Sequence, residues 1–134
     1  MKQSTTNFLI IFSVLVTLFI SCITAQPSNT DATMTINSFE KGGGSGACEC
    51  DGKYHSNDTP IVALSTPWYE HGKRCFRYIN IYYKDRSTQA MVVDECDTSK
   101  GCQNDIVDAS KAVWTALAVP GSEWGETKVT WSDA

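Results

Sequence analysis

The sequence predicts a mainly β domain, a small closed barrel or a sandwich, held by disulfides. Three observations predict it. Short runs rich in β-branched and aromatic residues are separated by clusters of turn formers. Helical periodicity is confined to one stretch near the C-terminus. Five cysteines follow an apolar leader, the pattern of an exported domain whose modest core is reinforced by cross-links.

The leader occupies residues 1–25. Lys2 supplies a positive start, Phe8 to Ile20 an apolar run, and Ala25 a small residue at the expected cut. The apolar run falls short of the roughly 20 residues that span a bilayer, and no basic stop-transfer patch follows it. A secretory signal peptide is therefore expected, with no membrane attachment of the mature chain. Cleavage takes Lys2 and Cys22 away. Ten of the eleven basic side chains then face fifteen acids, a net charge of −5 on about 109 residues. One domain is the natural count at that length. An acidic surface without a Lys/Arg cluster repels phosphate backbones, which excludes nucleic acid as a partner.

Residues 26–46 read as a flexible N-terminal segment. Gln26 to Thr33 is polar and aperiodic, Met34 to Phe39 alternates enough to form a first strand, and Lys41 to Gly46 is a glycine-rich linker. The glycines are not followed by the GK[ST] and helix that a phosphate loop needs. The compact domain is thus expected over residues 47–134. Glu49 to Pro60 is dense in turn formers and contains Tyr54 and the glycosylation sequon at Asn57. Ile61 to Thr66 reads as a strand, Pro67 to Gly72 as a turn, and Cys75 to Tyr83 as a strand that is apolar on both faces, as a small barrel requires. Ser87 to Glu95 and Thr127 to Ser132 complete the strands. Between them, Ala109, Ala112, Val113, Ala116 and Leu117 make one apolar helical face, with Asp108 or Ser110 as the expected cap and Pro120-Gly121 as the stop.

Cys48, Cys50, Cys75, Cys96 and Cys102 allow two disulfides and one spare thiol. The five residues can be paired in fifteen ways, or twelve once the strained Cys48–Cys50 ring is set aside. Cys48 is the expected odd thiol, because it follows the glycines and can pair only by ordering them.

The chemistry-bearing candidates are few. Asp94 closes one strand and Asp108 opens the helix, at the two ends of one polar loop, so the two carboxylates are the sharpest acid–base pair. Local roles explain both more simply, a helix cap for Asp108 and loop N–H groups for Asp94, with no need of tuned pKa values. His55 and His71 lie outside any zinc pattern, and no serine sits in a GxSxG elbow. No metal or cofactor is expected. Trp68-Tyr69 lies in a turn, where a flat ring can stack on sugar or anchor a protein partner, or else cover an open end of the barrel. Trp114 and Trp131 are expected in the core.

The motifs VVDECD, NDIVDAS and VTWS, with ECDGKYHSNDTPIVALST upstream, closely resemble the kiwellin and ripening-related proteins of plants, over about three quarters of the chain. The resemblance implies a six-stranded double-psi β-barrel with one or two short helices, related to barwin and to the first domain of expansins. It implies a secreted, monomeric, non-enzymatic protein of extracellular defence or ripening that binds another protein. Some kiwellins inhibit a chorismate mutase secreted by a fungal pathogen. The binding candidates are Trp68, Tyr69, Tyr54, Asp94 and Asp108. The alternative is an expansin-like or endoglucanase-like barrel acting on wall polysaccharide, since family-45 endoglucanases use aspartates near the ends matching Asp94 and Asp108. The loop after Cys102 is shorter here than in that family, which carries a further cysteine there.

Overall fold

In the computed structural model, residues 29–134 are described. The expected signal peptide, residues 1–25, lies outside them. Six strands close a barrel: β1 (Thr30–Ile36), β2 (Ile61–Ser65), β3 (Tyr78–Tyr83), β4 (Arg86–Cys96), β5 (Ile106–Ala109) and β6 (Glu126–Asp133). Around the ring they run β1-β5-β2-β4-β3-β6. The β1–β5 and β2–β4 pairs are parallel and the other four antiparallel. Two short helices, α1 (Thr66–Tyr69) and α2 (Lys111–Ala116), follow β2 and β5.

Alternation decides what enters the barrel. Met34, Val62, Leu64, Ile79, Ile81, Val92, Val107, Val129 and Trp131 point inward and share one buried cluster with Trp114 and Leu117 of the α2 region. The period of two puts every second residue of each strand on that side. β2 is apolar from Ile61 to Leu64 because it is buried on both faces. Its outward residues Ile61 and Ala63 pack with Phe39, Cys48 and Val93 in a second cluster, beneath the long β1–β2 connection.

Three expectations need correction. The barrel begins at Thr30, so β1 belongs to it and the compact domain does not start near Ala47. The stretch before the helix is a strand: Ile106–Ala109 slots between β1 and β2, and the helix begins only at Lys111. Asp108 therefore caps nothing. Ser110 stands at the cap position but turns its hydroxyl away, donating to Thr59 O at 2.7 Å and accepting from Ile61 N at 3.3 Å. Lastly, Pro67–Tyr69 is helical rather than a turn; Pro sits in the first turn of α1, where its missing N–H costs nothing.

Cys50–Cys75 and Cys96–Cys102 are disulfides, and among the described residues Cys48 is the free cysteine. The thiol is free for a reason the glycines do not supply: it is buried in the second cluster. Burial, then the nearby charges of Asp94 and Asp51, push its pKa up to about 12. It stays protonated and unreactive.

Candidate functional site

The sheet register builds an acidic groove. Across neighbouring strands, Thr35 pairs with Asp108, Asp108 with Ala63, and Ala63 with Asp94. A bulge in the β2–β4 pairing sets Ala63 opposite Asp94 and skips Val93. The two aspartates thus flank one small side chain, two strand spacings or about 10 Å apart along the backbone. Both line a groove of about 410 Å³ together with Glu49, Glu95, Asp97 and Lys100.

Each acid is held by one oxygen. Asp94 Oδ1 accepts from Glu49 N at 2.8 Å and from Glu95 N at 2.9 Å, which fastens the Cys48–Cys50 segment to β4. Asp108 Oδ1 accepts from Thr35 Oγ1 at 2.7 Å, tying β5 to β1. Among the described residues neither Oδ2 has a hydrogen-bond partner in the protein, so both remain available to the groove. Burial raises the pKa of both carboxyls. The two backbone N–H groups offset part of this for Asp94, and the Thr35 hydroxyl does so for Asp108, on which Asp94 adds like-charge repulsion. Two acids of raised pKa beside an open groove can donate hydrogen bonds to a ligand or move a proton.

The aromatic candidates are placed otherwise. Tyr69 is only 8 % exposed and belongs to the barrel core, its hydroxyl 3.5 Å from the Cys75 sulphur. Its pKa is raised by burial and then by Glu49, Glu95 and Asp94, so it stays a neutral phenol beside the groove's acids. Trp68 is half-buried and packs edge-on against Trp131, ring centroids 5.2 Å apart. It packs against the barrel core while part of the ring stays accessible. Tyr54 is exposed in the β1–β2 connection and does not line the acidic groove. Asn57 is a clamp: its Oδ1 accepts from Phe39 N at 2.8 Å, its Nδ2 donates to Ser38 Oγ at 2.9 Å, and its carbonyl accepts from Ala112 N at 3.1 Å. Among the described residues no group of three His, Cys, Asp or Glu side chains is placed to hold a metal, and no helix is long and apolar enough to cross a membrane.

Sequence reasoning missed a second concavity. A cradle of about 840 Å³ lies over β3, β4 and the end of β6, with Lys73, Arg77, Tyr78 and Gln89 among its lining residues. Arg74 is its anchor. The guanidinium donates to Asp133 at 2.9 and 3.2 Å, to Glu70 at 2.9 Å and to Trp68 O at 2.7 Å, and lies 5.2 Å above the Trp131 ring. The signal in the sequence is Lys73-Arg74, a lone basic pair, which by itself reads more readily as a solvated turn.

The Kiwellin-1 family model matches residues 16–134 of this chain. A ripening-related protein of Oryza sativa subsp. japonica is 47 % identical over 125 residues, which cover 85 % of this chain and 65 % of that one. A ripening-related protein of Vitis vinifera is 48 % identical over 126 residues, 85 % of this chain and 57 % of that one. Kiwellin of Actinidia chinensis var. chinensis is 44 % identical over 125 residues, 84 % of this chain and 58 % of that one. The chain thus spans 65 % or less of the length of these relatives. Among solved structures, an expansin of Clavibacter michiganensis superposes with a TM-score of 0.64 at 20 % identity, over 80 % of this chain and 50 % of that one. A Streptomyces papain inhibitor does so with a TM-score of 0.58 at 18 % identity, over 79 % of this chain and 94 % of that one. At such identities the likeness carries the fold, a double-psi β-barrel.

Proposed function

The chain belongs to the kiwellin and ripening-related family, and from that premise we propose that it is a secreted, monomeric binding protein of the plant extracellular space. The role is defence, by binding a protein that a pathogen secretes, such as a chorismate mutase. The observation that carries a binding role is the use made of Asp94. Its Oδ1 is committed to two backbone N–H groups that fix the Cys48–Cys50 segment, so the carboxylate is held rigidly with its Oδ2 presented to a ligand in the groove. Two disulfides support an oxidising compartment. Affinity capture with the mature chain from infected apoplastic fluid, followed by inhibition assays on what is retained, tests the reading. Export is tested separately. Leu15→Arg puts a charge in the apolar leader, which costs about 2.5–3.5 kcal/mol on insertion, and should keep the protein inside the cell.

One observation favours a second reading. Asp94 and Asp108 line the same groove with raised pKa values on a barrel shared with an expansin, which fits a surface that binds or modifies wall polysaccharide. Retention of wild type on insoluble cellulose or chitin would favour it. Release of reducing sugar by wild type, lost in Asp108→Asn with a melting temperature no lower than wild type, would make the protein a hydrolase. The binding reading expects no sugar release between pH 4 and pH 8.

A further inference from the structure

We propose that the cradle over β3 and β4 docks an acidic, aromatic-bearing peptide segment of the partner protein. The proposal rests on the binding reading above and names the surface that does the binding.

Lys73 and Arg77 are exposed, and among the described residues neither makes an ion pair or a side-chain hydrogen bond. Arg74 between them is already saturated by Asp133 and Glu70. Lys73 and Arg77, the latter also acting on the Asp133 charge, therefore set the cradle's attraction, on a chain whose formal net charge is −4. An acidic partner is repelled elsewhere and drawn here, which orients its approach. Apolar contact is supplied alongside. Tyr78, on the cradle, is 49 % exposed, and Phe76, one residue before Arg77, is 50 % exposed. Phe76 also sits at φ 65°, a left-handed backbone that a bulky residue rarely adopts. Its N–H donates to Val92 O at 2.8 Å, so the turn is fixed by the barrel while the ring faces solvent. A strained residue that displays a large ring gains nothing for the fold from that ring. Arg, Tyr and Phe beside one another are the side chains that carry binding energy at protein interfaces.

Glu70 and Asp133 decide between a peptide and a polyanion. Both stand on the cradle with carboxylates exposed, and they would repel a chain charged at every unit, such as a polyuronate. A peptide whose acids are separated by apolar residues can meet Lys73 and Arg77 and lay its rings on Tyr78 and Phe76.

The test uses the mature, oxidised chain and a short fluorescein-labelled peptide of alternating Glu and Phe, read by anisotropy, with polygalacturonate as competitor. The expected result is saturable binding that weakens with salt and falls about tenfold or more in the Lys73→Glu/Arg77→Glu variant and in Tyr78→Ala. The charge-reversed variant should in turn bind a Lys/Phe peptide. Melting curves establish that the variants are folded. Absence of peptide binding, equal binding by the variants, or displacement by polygalacturonate at lower carboxylate concentration than by unlabelled peptide would overturn the proposal. The same variants used as bait on apoplastic fluid separate the two readings. A partner protein kept equally by wild type and by Lys73→Glu/Arg77→Glu leaves the binding reading standing and removes the cradle. A wild-type bait that retains no protein at all removes both.

Discussion

The acidic groove and the cationic cradle are built by opposite means. In the groove, sheet register places the two aspartates, and N–H and O–H donors from Glu49, Glu95 and Thr35 hold them. Its charges are part of the strand-to-strand wiring. In the cradle, Arg74 is wired to Glu70 and Asp133 and Gln89 to Asn80, whereas the side chains of Lys73, Arg77 and Tyr78, with Phe76 beside them, are exposed and without a side-chain hydrogen bond among the described residues. Side chains that serve the fold are poor evidence of function. Exposed rings and unpaired cations without structural duty are better evidence. The Cys50–Cys75 disulfide joins the two regions, because Cys50 follows Glu49 on one side and Cys75 follows Arg74 on the other.

The largest predicted effect cuts that joint. Cys50→Ala/Cys75→Ala opens a loop of sequence separation 25 and should cost ~3 kcal/mol of stability, from the chain freedom returned to the unfolded state. It should loosen both sites, seen as lost hydrogen-exchange protection of Glu49 N–H and of the Arg74–Arg77 turn together. Loosening of one alone would mean that the sites are independent.

Trp68→Ala should cost about 2 kcal/mol in chemical denaturation. A half-buried tryptophan that meets Trp131 edge-on loses its packing and the ring pair. Affinity for any partner should change less than it does on Tyr78→Ala. The opposite order would restore Trp68 as a binding residue and place the site at the barrel end.

The groove was more legible in the sequence than the cradle. Acid residues at the ends of apolar runs are visible as letters, and Asp94 bonds to loop N–H groups as its position beside Cys96 suggests. What failed around Asp108 was the element. Ile106–Ala109 is too short to announce itself as a strand, and the apolar period of the following helix runs back through Ala109, so local pattern favoured a longer helix. Pairing on both sides, with β1 and β2, overrode it. β1 is hard to read for a similar reason: most of its outer residues are polar, and its inner ones, Ala32 and Met34, are too few to stand out. Phe76 and Tyr78 looked like ordinary strand letters. Their exposure follows from a left-handed turn at Phe76, which the sequence does not mark with glycine.

The groove's wiring has a pH signature. Burial raises the pKa of Asp94 and Asp108 above the ordinary carboxylate value of 3.8. Below that value both are protonated in the folded and unfolded chain and impose no relative cost. As pH climbs past 3.8 through their raised folded values, the unfolded chain ionises first and stability is lost. Asp133 works the other way. The Arg74 hydrogen bond lowers its pKa, so its contribution is present above 3.8 and is lost as pH falls. Asp108→Asn should therefore flatten the decline on the high-pH side and melt higher than wild type at pH 7, since Asn Oδ1 can still accept from Thr35. An unchanged pH profile would mean that Asp108 titrates like an exposed acid and that the groove is wetter than its geometry implies.

The smallest predicted effect separates the cradle from the groove on stability against binding. Phe76 holds φ 65° with a full side chain, a conformation that costs an L-residue about 1–2 kcal/mol. Phe76→Gly removes that cost, while the freer unfolded chain takes back about 0.5–1 kcal/mol. The net gain should be small, under about 1 kcal/mol, and visible as a melting temperature slightly above wild type. Phe76→Ala keeps the Cβ and the strain, so it should melt no higher than wild type. Both variants remove the ring and should weaken the Glu/Phe peptide equally. That pattern, one variant more stable and both weaker in binding, is what a ring displayed for a partner predicts. Destabilisation in both variants would show that the Phe76 ring packs for the fold, and the cradle would then resemble the groove, a surface whose side chains are already employed.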